Sequence, residues 1–109
     1  MSSLIVLCTC PDTDSAGILA AAMVNRGLAA CVNILPNMRS IYRWHEMIET
    51  ATECMLVIKT HASVYSALES AITELHPYKV PEILALPIHQ GLPAYLDWIA
   101  ESVTPEKEA

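Results

Sequence analysis

Charge is scarce in this sequence. Charged residues fill 17% of its 109 positions, against about 25% in an ordinary soluble domain. Lysine and arginine together number 6, aspartate and glutamate 12, and the formal net charge is -6. No basic run occurs, and Arg39 and Arg43 form the only close cationic pair. Nucleic acid is thereby excluded as the main partner, because phosphate binding needs a basic footprint. Long apolar runs are missing too, and the longest fall far short of the roughly 20 residues that cross a membrane. No basic segment precedes the first apolar run, so no signal peptide is read and a cytoplasmic location is expected. Glycine-rich phosphate loops, nucleophile elbows and zinc-hydrolase motifs are absent, and the chain is not read as an enzyme. Cys8 with His76 would be the nearest approach to a nucleophile and its base. The four cysteines, Cys8, Cys10, Cys31 and Cys54, follow no zinc-ribbon or CxxC spacing. They are expected as free, mostly buried thiols.

Apolar residues are plentiful at 53%. The length suits one domain over 1–109, with a core from about 4 to 100 and a loose tail at 101–109. A small protein has much surface per residue. Few charges on such a surface imply that part of it faces another subunit rather than water.

Leu28 to Glu46 is the stretch around which the rest is arranged. Its first half, Leu28 to Leu35, is apolar on both alternating faces, so something must cover both. Pro36-Asn37 interrupts it, and Ser40 to Trp44 resumes with β-branched and aromatic residues. One long strand bent at Pro36, or two strands in series, is predicted. Before it, Ser3–Cys10 alternates as a strand, with Leu4, Val6, Cys8 and Cys10 on one side. Asp12 or Asp14 caps a helix over 14–26, which Gly27 ends. After it, 45–51 reads as a polar hairpin tip and 53–60 as a strand. A helix over 62–75 follows, striped by Val64, Leu68, Ile72 and Leu75. Residues 81–88 form a strand with prolines near both ends, which suits a sheet edge. Gly91-Leu92-Pro93 opens a short last helix with Tyr95, Leu96 and Ile99 on its apolar face.

The order is βαββαβ plus a C-terminal helix, and the fold class is α+β. A ferredoxin-like sandwich with a long β2–β3 hairpin satisfies it. Both right-handed crossovers put their helices on one sheet face. The other face is apolar and open, which again predicts an oligomer.

Several segments together resemble the CutA divalent-cation tolerance protein family. They are Cys8-Thr9 with Pro11; Arg26 to Ile34 with Pro36; Ser40-Ile41-Tyr42-Arg43-Trp44; Glu53 with Ile58-Lys59-Thr60; His76-Pro77-Tyr78 with Pro81-Glu82-Ile83; and Tyr95-Leu96 with Trp98-Ile99. They cover about residues 4 to 100. The resemblance implies a cytoplasmic, very stable homotrimer in which long hairpins pair between neighbours. It implies a role in tolerance of divalent metals, copper above all, with no cofactor required. It also implies metal ligands at Cys8, His76 and Glu82. Many relatives have Trp-Glu-Gly-Lys where this chain has Trp44-His45-Glu46-Met47.

These three residues are chemically sensible for copper. Copper(I) favours thiolates, and copper(II) favours imidazole and carboxylate. Their other role would be a core cysteine and polar residues fixing the turn before the last strand. Cys8 and Cys10 share a strand face, which makes a two-thiol site feasible. Cys31 and Cys54 read as core packing, and His45 with Glu46 and Glu49 as a solvated tip. Tyr42, Arg43, Trp44, Lys59, Tyr78 and Glu82 suit a subunit boundary, with Arg43 or Lys59 pairing to Glu82 or Glu53. A cleft there would support the alternative function, a small-ligand sensor or a signalling and structural scaffold.

Overall fold

Alternating burial makes β1 (Ser3–Cys10) an interior strand: Val6, Cys8 and Cys10 are buried on one side, while Ile5 and Leu7 are half-buried on the other. The computed structural model describes residues 2–104. The sheet order is β2-β3-β1-β4, with every neighbouring pair antiparallel. Both helical crossovers pack on the Val6–Cys8–Cys10 face, where Ala16, Leu19, Met23, Leu68 and Ile72 meet Leu56 and Ile58. Each fully buried Met, Leu or Ile there contributes roughly 1.5–3 kcal/mol.

Helix α1 (Thr13–Asn25) starts at Asp12, whose carboxylate accepts the Ser15 amide at 2.7 Å. It ends where Gly27 turns left-handed at φ 71 and the Leu28 amide reaches the Met23 carbonyl at 2.9 Å. The strand expected from Leu28 does not begin there but at Cys31. Leu28 and Ala29 are buried in the connecting loop, with the Leu28 carbonyl accepting the Thr60 hydroxyl at 2.7 Å. Leaving a left-handed turn, the backbone joins the ladder only at Ala30, whose amide donates to Lys59.

β2 (Cys31–Trp44) is one strand with a bulge. Leu35 pairs with Met55 and Met38 with Glu53, so Pro36 and Asn37 oppose Cys54 alone. Proline cannot donate to a ladder, and Asn37 adopts φ 60, so the irregularity falls where the sequence places it. β3 (Met47–His61) begins six residues before the expected Glu53. The polar segment 47–52 is not a loop but the exposed end of a two-stranded arm. Only His45 and Glu46 turn the hairpin, at φ 49 and 67.

A 3-10 turn (Ala62–Val64), capped by His61 Nδ1 accepting the Ser63 amide, leads into α2 (Tyr65–Leu75). Leu68, Ala71 and Ile72 are buried, while Leu75, at the helix end, is exposed. β4 (Ile83–Pro87) lies at the sheet edge, and Pro87 ends it. Helix α3 (Pro93–Ser102) buries Ile99. Of the expected loose tail, 101–104 is tied down: α3 includes Glu101 and Ser102, Val103 is buried, and the Thr104 amide donates to Gly27 at 2.8 Å. Residues 105–109 lie outside the described residues.

Candidate metal centre

The alternation of β1 puts Cys8 and Cys10 on the helix-covered face two residues apart. Helix α2 ends at Leu75, and His76 then turns into extended backbone under the Pro77 constraint. This drops the imidazole onto the end of β1. Cys8, Cys10 and His76 thus converge, their ligating atoms all within 4.8 Å of one another, with exposures of 0%, 0% and 7%. It is a donor set of two sulfurs and one imidazole, almost wholly shielded from water.

The imidazole is held at both nitrogens. Its Nδ1 accepts the Tyr78 amide at 3.0 Å. Its Nε2 therefore carries the proton and donates to the Thr9 carbonyl at 2.7 Å. Cys10 Sγ lies 3.8 Å from the same Nε2. The Tyr78 ring leans on His76 at 4.9 Å between centroids, and its hydroxyl donates to Glu53 at 2.6 Å. The hydrogen bond to Cys10, then burial and the charges of Cys10 and Glu82, push the Cys8 thiol far above the ordinary thiol range. The same bond lowers Cys10, against desolvation and the charges of Asp12 and Glu53. The two thiols thus titrate as one coupled pair, joined by an S–H···S hydrogen bond.

Two of the three expected ligands, Cys8 and His76, come together. Glu82 does not join them. It is exposed in the segment before β4, although near enough to act electrostatically on Cys8. Cys10 takes its place, and the β1 alternation was the signal for it. The Tyr78–Glu53 bond had no sequence signal, since 25 positions separate the two. Lys59 turns to Asn33 and Cys31 rather than to a glutamate, with Nζ 3.9 Å from Cys31 Sγ. Cys54 is buried in the core as expected, while Cys31 is half-buried on the open face.

The profile of the CutA1 divalent ion tolerance protein matches residues 4–102. The chain belongs to the CutA1 family. A Xenopus laevis CutA homolog is 46% identical over 87% of this chain and 63% of its own length. The Thermus thermophilus divalent-cation tolerance protein CutA is 45% identical over 90% of this chain and 95% of its own. The chain thus spans less than two thirds of the frog relative and nearly all of the bacterial one. A Thermus thermophilus Cut A1 structure superposes at a TM-score of 0.91 over 94% of this chain and 99% of that one, at 43% identity. An Archaeoglobus fulgidus CutA structure, named as periplasmic, superposes at 0.90 over 94% and 99%, at 35% identity. The α+β fold with its four-stranded antiparallel sheet is that of the CutA1 structures.

Proposed function

We propose that this CutA1 chain acts in metal-ion tolerance by binding soft metal ions, copper foremost, in the cytoplasm and as a homotrimer. The carrying observation is the convergence of Cys8, Cys10 and His76 inside the protein. Buried thiols are common in cores, but two thiols and an imidazole within 4.8 Å form a ligand-type set, and soft donors select soft ions. The metal is cargo in this reading.

A binding role fits the site better than a catalytic one. The thiols are fully buried, and the His76 nitrogen nearest Cys10 carries a proton rather than a free lone pair. It is thus not poised as the general base that nucleophilic catalysis requires.

Two exposed surfaces support the trimer. On the sheet face away from the helices, Leu35, Leu84 and Leu86 are exposed beside half-buried Ile5, Leu7 and Val57. On the hairpin arm, Ile41, Trp44, Met47 and Ile48 are exposed. Apolar surface spread over a face and an arm is what subunit contact removes from water.

Titration of the purified protein with copper(I), copper(II) and zinc, beside Cys8→Ala and Cys10→Ala, tests the binding. The expected result is tight copper uptake that either variant weakens at least tenfold. Unchanged uptake in both variants would remove the site from the mechanism.

A further inference from the structure

We infer that this centre takes a monovalent soft cation on the thiolates of Cys8 and Cys10 alone, with His76 as a positioning hydrogen-bond donor and not a ligand. The inference rests on the metal-binding reading above and narrows it.

A backbone amide can only donate. The Tyr78 amide at 3.0 Å therefore assigns a lone pair to His76 Nδ1. The ring proton is then on Nε2, 2.7 Å from an oxygen that can only accept, the Thr9 carbonyl. It is Nε2 that faces Cys10, at 3.8 Å. A nitrogen that carries a proton has no lone pair for a metal. Ligation through Nε2 would move the proton to Nδ1, against the Tyr78 N–H. It would also strip the Thr9 carbonyl and the Tyr78 amide of their bonds in a buried site, an arrangement that folded proteins avoid. Doubly protonated imidazole meets the same clash at Nδ1.

The two sulfurs give up only the weak S–H···S bond between them, and a bound cation replaces it. All three donor atoms lie within 4.8 Å of one another, which lets one ion reach both sulfurs. Among the described residues no carboxylate, which a harder divalent ion would need, joins the cluster: Glu82 is exposed, Glu53 accepts the Tyr78 hydroxyl, and Asp12 accepts the Ser15 amide. Copper(I) binding then proceeds without electron transfer. Two S–H bonds break, two copper–sulfur bonds form, and two protons leave to water. The site gains one net negative charge, and the His76 Nε2–H beside Cys10 is placed to stabilise it.

The test loads the full chain anaerobically with one equivalent of copper(I), or of silver(I) as a redox-inert probe, against a competing copper(I) chelator. X-ray absorption on the wild type counts the ligands, and nitrogen-15 NMR reads the His76 tautomer. Two sulfurs and no nitrogen in the first shell are expected, with His76 still protonated at Nε2. His76→Gln is expected to keep copper within about tenfold, while Cys8→Ser and Cys10→Ser lose more than 100-fold. A nitrogen in the shell, or loss of the Nε2 proton on loading, overturns the inference and leaves metal binding standing. No copper retained by the wild type overturns both. The two wild-type measurements decide the matter even if a variant fails to fold.

Discussion

Tyr78 donates its hydroxyl to the Glu53 carboxylate at 2.6 Å, tying the loop after α2 to β3 beside the bulge. The bond is partly buried and its acceptor is a carboxylate. Hydrogen bonds to charged groups contribute about 1.5–3 kcal/mol, with partial exposure favouring the lower end. Tyr78→Phe should therefore lower unfolding stability by about 1–2 kcal/mol in urea titration. An unchanged midpoint would show that water replaces the bond at no cost.

The same tyrosine sets an alkaline limit. Burial, then the Glu53 hydrogen bond and charge, raise its folded pKa well above the ordinary value near 10. Tyr65 is pushed up to about 12 by burial and Glu69. The native state therefore holds protons that the unfolded chain has released. This stabilisation is complete below pH 10 and is lost as pH rises through the folded values. Melting temperature should fall above pH 10, and fall less steeply in the Tyr78→Phe and Tyr65→Phe variants. Equal slopes in wild type and variants would contradict the assignment.

The hairpin tip is strained. His45 and Glu46 both have positive φ, at 49 and 67. A two-residue turn of this kind favours Asn-Gly, and a side chain in left-handed backbone costs about 1–2 kcal/mol. Replacing His45-Glu46 by Asn-Gly should raise the urea midpoint, corresponding to about 1 kcal/mol, without changing the slope. A fall would mean that the tip makes contacts in the assembly worth more than its strain.

That tip also shows where sequence reading stops. Neither residue is a usual turn former, so the polar run through Ala51 reads as a wide loop, and the first six residues of β3 vanish into it. Asn37 is different, because Pro36 announces the bulge. Gly27 announces the end of α1, and the β1 alternation delivers its buried side residue by residue. The β1 pattern also places Cys8 and Cys10 together. That His76 completes the set depends on where α2 ends over β1, a tertiary fact that no local spacing encodes. Glu82 is one residue from Ile83, the partner of Cys8 in the β1–β4 ladder, yet it is exposed and outside the cluster. Proximity in register is not convergence of side chains.

Gly27 holds two constraints at once. Its φ of 71 suits glycine, and an added Cβ would lie 3.2 Å from Thr104 Cβ and 3.3 Å from the Thr104 amide nitrogen. That amide donates to the Gly27 carbonyl at 2.8 Å. Gly27→Ala should lower stability by about 1–2 kcal/mol. It should also speed hydrogen exchange at the Thr104 amide, since the contact there must give. A variant with intact Thr104 protection would place the whole cost in the backbone turn.

Leu84 and Leu86 test the assembly. β4 pairs Leu84 with Leu7 and Leu86 with Ile5, so all four lie on the sheet face away from the helices. In the single chain Leu84 is 55% exposed and Leu86 50%. Taking each from water is worth up to roughly 1.5–3 kcal/mol, whereas burying a carboxylate there without a partner is strongly unfavourable. The double variant Leu84→Glu and Leu86→Glu keeps the helix-side core untouched. Sedimentation equilibrium should find trimers for the wild type and monomers for the variant, with helical content unchanged by circular dichroism. A trimer that survives both charges would move the subunit contacts off this face and onto the hairpin arm.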